Sequence, residues 1–166
     1  MSSRRLILAT LVLLALVLVC AGCSRKVVRP DMPGPPGMAG PYGPGQLTEQ
    51  SLQMVQAELK VIYFDYDQYA LSPEAQAAAQ YNADVLKRSP NGRIVAEGHC
   101  DERGTAEYNL ALGDRRSRSV LEYLTGLGVD PRRLSIVSYG SELPVDPGHN
   151  EAAWAKNRRV YLRVSQ

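Results

Sequence analysis

Residues 97–116, EGHCDERGTAEYNLALGDRR, run together the end of a strand, a Gly-containing loop and the opening of a helix. The alternation from Arg93 through Ile94, Val95, Ala96, Glu97, Gly98 and His99 predicts a strand over 93–100 whose last residues leave the core and deliver Asp101 to a sheet edge. Downstream, Leu112, Arg116 and Val120 recur at four-residue intervals, so a guanidinium shares a helix column with apolar side chains. An unpaired buried cation is costly. Arg116 must therefore find an internal carboxylate, reach water, or sit at the rim of a pocket that receives an anion. Asp101 offers the opposite charge nearby. The two either pair with each other or flank a ligand that is both ammonium and carboxylate, as an amino acid is.

Outward from this run, Leu52, Val55 and Leu59 predict a short helical lead-in, and Val61–Asp67 a strand dense in β-branched and aromatic residues. Ser72-Pro73-Glu74 is a helix start, with a side-chain cap, a proline at the first helical position and an acid near the positive end. Ala75, Ala78, Ala79, Val85 and Leu86 form its packing face, and Pro90-Asn91-Gly92 ends it. A second helix is expected over 106–127 with Gly128 as its cap, with Leu110, Leu121 and Leu124 on its apolar side. Strands over 134–139 and 160–164 follow, separated by a short helix over 151–156 capped by Asn150. Strands alternating with helices imply an α/β sandwich, β-α-β-α-β-(short α)-β, with helices packed on one mixed sheet.

The N-terminal region has a different composition. Arg4 and Arg5 precede the apolar run Leu6–Val19, which closes on Cys20-Ala21-Gly22-Cys23. This is the layout of a secretory signal peptide over 1–22, and the small residues favour it over a membrane span, which needs about 18 apolar residues. Of the 19 basic residues only Arg4 and Arg5 lie in 1–22, with no acid, so the chain from Cys23 carries 17 charges of each sign. That neutrality argues against nucleic acid as a partner. Residues 23–46 are rich in Pro and Gly and read as an extended linker, followed by a folded domain over 47–166.

Catalytic and metal chemistry find little support. His99 and Cys100 are adjacent in a strand and point to opposite faces, so they do not form a nucleophile–base pair. His99 and Asp101 share a face, but the one other histidine is His149, and the paired spacings of a zinc site are absent. His99 is expected to be partly buried and bonded to a loop carbonyl, and Cys100 to be a small core residue. Gly98, Gly104 and Gly113 do not build a phosphate loop; Gly104 is expected to supply an unusual backbone angle. No metal, cofactor or catalytic residue is implied. A hydrolase or amidase using His99 and Glu97 is one alternative, and a protein-docking module in which Asp101 and Arg116 pair with each other is another.

The blocks VIYFDYD, EGHCDERGTAEYNLALGDRRSRSV, SIVSYGSELPV and NEAAWAKNRRV resemble the OmpA C-terminal-like family in its peptidoglycan-associated lipoprotein branch, across roughly residues 60–165. The resemblance implies an OmpA-like two-layer sandwich and a noncatalytic protein that binds peptidoglycan through the diaminopimelate of its stem peptide. The family's Gly-His-x-Asp aspartate falls on Asp101 and its helix arginine on Arg116. It places Phe64 and Asp65 at the pocket wall, Gly98 and Cys100 as backbone contributors, Tyr108, Asn109 and Leu112 along the lip, and Asn157 and Arg158 beside it. Cys100 stands where the family usually has Ala or Thr. Ala21-Gly22-Cys23 similarly resembles a bacterial lipoprotein box, with Cys20 in place of the usual Leu. It implies lipidation of Cys23 and, with Ser24 rather than Asp following, anchoring in the outer membrane. With Cys23 acylated, Cys100 is the free thiol. The resemblance further implies TolB and other Tol-Pal components as partners, in support of envelope integrity and cell division.

Overall fold

The computed structural model describes residues 48–89 and 91–165. The expectations for the signal peptide, Cys23 and the Pro/Gly-rich linker lie outside the described residues. In order, the elements are α1 (Glu49–Glu58), β1 (Ile62–Tyr63), α2 (Pro73–Arg88), β2 (Arg93–His99), α3 (Ala106–Gly126), a 3-10 turn (Pro131–Arg133), β3 (Leu134–Gly140), α4 (Glu151–Asn157) and β4 (Arg159–Ser165). The sheet runs β1-β4-β2-β3, with β2 and β3 parallel and the other two neighbouring pairs antiparallel. This is the mixed α/β sheet that the strand–helix alternation implies.

Ile94, Ala96, Val160, Leu162 and Ile62 project from the sheet into one core with Ala79, Val85 and Leu86 of α2 and Val120 and Leu124 of α3. The helix boundaries follow from their caps. Ser72 Oγ, Thr105 Oγ1 and Asn150 Oδ1 accept the N–H groups of Ala75, Tyr108 and Ala153 at 3.2, 3.2 and 3.0 Å. Gly128, at φ 93°, lets the chain turn out of α3 as expected. At the end of α2, the Arg133 guanidinium donates to the carbonyls of Leu86, Ser89 and Gly92 at 3.1, 2.7 and 2.9 Å. A long side chain closes the turn and complements the negative helix end.

Three expectations need correction. The first strand is two residues long instead of reaching Asp67. After Phe64 donates to the Arg158 carbonyl, the chain turns at 65–68 with Asp67 at φ 56°. The carbonyls of Phe64, Asp65 and Gln68, which a neighbouring strand would have used, are taken by arginine side chains. Leu110 is 38% exposed and off the core face. His99 is buried, but its Nδ1 has no hydrogen-bond partner; the ring stacks on Tyr139 with centroids 5.4 Å apart.

Gly98 and Gly113 set how closely α3 lies on β2. A Cβ on Gly98 would run into the Gly113 carbonyl, so only hydrogen is tolerated there. This close approach holds the start of α3, with Asn109, Leu112 and Arg116, over the end of β2. The functional residues are placed by this contact.

Candidate binding cleft

β2 ends at His99, one residue earlier than expected, with a register shift between Gly98 and His99, and Cys100 N–H donates to the Gly140 carbonyl at 2.8 Å. Asp101 therefore begins a loop, and Asn109 fixes its shape: Nδ2 donates to the carbonyls of Asp101 and Arg103 at 3.3 and 3.2 Å. Gly104, at φ 103°, makes the turn into α3. A cleft of about 140 Å³ opens over this loop.

Asp101 is 4% exposed and holds four hydrogen bonds from the chain itself. Oδ1 accepts from Arg103 N and Nε at 3.1 and 3.2 Å; Oδ2 accepts from Arg103 Nη2 at 2.6 Å and Arg158 Nη1 at 3.2 Å. Burial by itself raises the carboxyl pKa, but the bonds from Arg103 and Arg158 outweigh it and hold the group below the usual carboxylate range. Asp101 is thus a buried, ionised acceptor.

Arg116 is 1% exposed and does not form the direct pair with Asp101 that a docking module would require. Its Nε, Nη1 and Nη2 donate to the carbonyls of Gln68, His99 and Asp65 at 2.7, 2.9 and 3.0 Å, and Nη1 also lies 3.4 Å from the Cys100 sulfur. Of the five N–H donors of a guanidinium, one on Nη2 is left for a ligand. A free two-pronged fork is therefore not what this arrangement offers. Burial lowers the Arg116 pKa. The Phe64 ring lies 5.2 Å from the guanidinium carbon.

Of the expected site residues, Cys100, Asp101, Tyr108, Asn109 and Leu112 line this cleft, as do Arg116 and Arg158. Phe64 and Asp65 face a larger neighbouring cleft of about 470 Å³ that shares Arg158 with the first. Gly98 lines neither, because its missing side chain is filled by Gly113. Asn157 also lines neither: it accepts from the N–H groups of Val145 and Asp146 and donates to the Asp146 carbonyl, fixing the loop before α4. Arg158 is 6% exposed. It ties Phe64 O, Asp101 and Glu151 together at 3.0, 3.2 and 2.7 Å.

Three cleft side chains escape the sequence reading. Tyr66 and Asp67 come from the turn after β1, and Asp67 accepts from the Tyr108 hydroxyl, which raises that hydroxyl's pKa. Arg103 bonds Asp101 between the rings of Tyr66 and Trp154, with its guanidinium carbon 4.0 and 4.2 Å from their centroids. An Asp followed two residues later by Arg was the available signal. The same turn recurs on the surface, where Asp130 accepts from Arg132 N and Nε at 2.9 and 3.1 Å.

His99 and Glu97 line neither cleft, and the Glu97 carboxylate lies 2.5 Å from Arg163 Nη2. Among the described residues, no three His, Cys, Asp or Glu side chains group as metal ligands, and no helix is long and apolar enough to cross a membrane.

Comparison with known proteins agrees with this architecture. The OmpA family model matches residues 63–158. A peptidoglycan-associated lipoprotein of Pseudomonas aeruginosa is 45% identical over 151 residues, covering 87% of this chain and 89% of its own; that of Haemophilus influenzae is 44% identical over 112 residues, covering 68% and 73%. The crystal structure of the peptidoglycan-associated lipoprotein from Burkholderia pseudomallei superposes with a TM-score of 0.61 at 46% identity, over 63% of this chain and 89% of that one. The C-terminal domain of Helicobacter pylori MotB shares the fold at 24% identity and a TM-score of 0.61, over 64% of this chain and 84% of its own. With a family model over more than half its length and such identity across most of it, the chain belongs to the OmpA family.

Proposed function

We propose that this protein is a noncatalytic, envelope-attached binder of peptidoglycan, and that the cleft over Asp101 takes the diaminopimelate of the stem peptide. The observation that carries the reading is a 4% exposed, ionised Asp101 and a 1% exposed Arg116 converging on one small cleft. Diaminopimelate ends in an ammonium beside a carboxylate, and the cleft offers a carboxylate acceptor for the first and guanidinium groups for the second. The relatives are named for association with peptidoglycan, which supports the polymer as the ligand. A lipid on Cys23, with residues 24–46 as tether, would attach the domain to the outer membrane, and TolB with the Tol-Pal components are its proposed protein partners.

The test is sedimentation of the full chain, in detergent, with purified diaminopimelate-type sacculi. Asp101→Asn, with folding checked by circular dichroism, removes the charge and keeps the shape. Loss of one side of a desolvated charge pair costs about 2–5 kcal/mol, so this variant should stay in solution where wild type sediments. Equal sedimentation of the two would remove Asp101 from the site. Release of reducing ends or free amines from the sacculi by wild type, abolished by His99→Ala, would replace binding with hydrolysis.

A further inference from the structure

Asp101, the acceptor proposed for the ligand, is already filled. Arg103 supplies three of its four hydrogen bonds, and the cleft of about 140 Å³ is small for a ligand that carries two charged groups on one carbon. Something must leave before an ammonium reaches this carboxylate. The three guanidinium groups around it are not equally held. Arg116 and Arg158 are 1% and 6% exposed, and they are fastened to three backbone carbonyls and one, respectively, from other segments. The Arg103 side chain is 30% exposed, bonds no backbone carbonyl, and has only Asp101 and a 3.7 Å contact with Glu151 as charged partners. It can swing at its Cγ–Cδ stem off the Trp154 ring while its planar face stays against Tyr66.

We infer that Arg103 is an exchangeable cation that selects the ligand: in the free protein it closes the cleft on Asp101, and on binding it hands Asp101 to the ligand's ammonium and takes the ligand's carboxylate. The inference rests on the peptidoglycan reading above and adds to it the residue that receives the carboxylate. A ligand with an ammonium alone breaks the Arg103–Asp101 pair and leaves Arg103 only the exposed Glu151, 3.7 Å away, as counter-charge. A ligand with both charges exchanges one buried-side ion pair for two, and the guanidinium fork matches a carboxylate in a way that lysine or glutamine does not. Selection therefore depends on charge count and not on cleft size.

Two soluble tripeptides separate the outcomes: one with diaminopimelate as third residue, and one with lysine there, which keeps the ammonium and lacks the distal carboxylate. Binding to the full chain in detergent is measured by calorimetry. Trp154 is the chain's one tryptophan, so its emission reports whether the cation leaves its ring. Wild type should prefer the diaminopimelate peptide by about 10- to 100-fold, the worth of a charged hydrogen bond, with a change in Trp154 emission on binding. Arg103→Gln should lose most of that preference, bind the lysine peptide at least as well as wild type does, and show no ligand-linked emission change. Undiminished preference in Arg103→Gln, or unchanged wild-type emission at saturation, would overturn the exchange while leaving the peptidoglycan reading intact. Binding of neither peptide to wild type would overturn that reading itself. If Arg103→Gln does not fold, Arg103→Lys, which keeps the charge and loses the fork, takes its place, and the wild-type emission decides independently.

Discussion

Acidification should unfold this domain through His99 before it reaches the carboxylates. The imidazole is 3% exposed, its Nδ1 has no partner, and burial, with the nearby Arg159 charge, lowers its pKa from 6.5 to about 4. In the folded state the ring stays neutral down to that value, whereas in the unfolded chain it takes a proton near its ordinary pKa. Between these two values the unfolded state binds more protons, so stability is fully present above about pH 6.5 and drains away as pH falls towards about 4. The gap of about 2.5 units, at about 1.4 kcal/mol each, comes to about 3 kcal/mol. Asp101 works in the same direction but lower. Its depressed folded pKa means its contribution is present above the usual carboxylate range and is lost as pH falls below that range. Urea titrations of wild type and His99→Gln at about pH 7 and about pH 4 isolate the histidine, because the carboxylates are common to both chains. Wild type should lose about 3 kcal/mol more than the variant over this interval. A wild-type-minus-variant difference that stays constant with pH would refute the assignment of His99 as a buried neutral base.

Other perturbations probe the scaffold under the cleft. Gly98→Ala should cost about 3 kcal/mol or more in chemical denaturation, since the new methyl meets the Gly113 backbone; Gly113→Ala, whose nearest obstacle is the rotatable Ser138 hydroxyl, should cost less. Arg133→Ala removes three bonds to carbonyls at the end of α2 and should cost about 2–3 kcal/mol, with Arg133→Lys restoring only part of it. The Cys100 thiol is 3% exposed and its pKa is raised by burial. Alkylation followed by peptide mass mapping should find it unreactive in the native protein and labelled in step with global unfolding; labelling at the rate of a free thiol in native buffer would contradict its burial.

Much of the scaffold is legible in local chemistry because its signals are local. A hydroxyl or amide before a helix, the four-residue spacing of Leu112, Arg116 and Val120, and a glycine after Leu127 each act within a turn or two of chain. The reading fails where a backbone partner comes from a distant side chain. Val61–Asp67 has the composition of a strand along its whole length, yet the hydrogen bonds that would continue it are drawn off by Arg116 and Arg158, 48 or more residues away. The site divides in the same way. Asp101 and Arg116 stand out because a charge at a strand end and a charge in an apolar column are anomalies of pattern. Arg103 carries only the short Asp-x-Arg signal, and Tyr66 is an ordinary surface residue by pattern that the turn after β1 brings against the Arg103 guanidinium.

The consequence is that the arginines of this site are structural and chemical at once. Arg116 and Arg158 join the turn after β1 to β2, the β2–α3 loop and α4, replacing the ladder that a two-residue β1 cannot provide. Substituting Arg116 leaves the carbonyls of Asp65, Gln68 and His99 without these donors, and substituting Arg158 that of Phe64; a carbonyl left unpaired away from water costs about 1–3 kcal/mol. A loss of peptidoglycan binding in Arg116→Ala would therefore not distinguish a lost ligand contact from a collapsed turn. Asp101→Asn and Arg103→Gln leave those backbone bonds untouched. Binding defects in those two variants, measured beside an unchanged unfolding midpoint, would report on recognition itself.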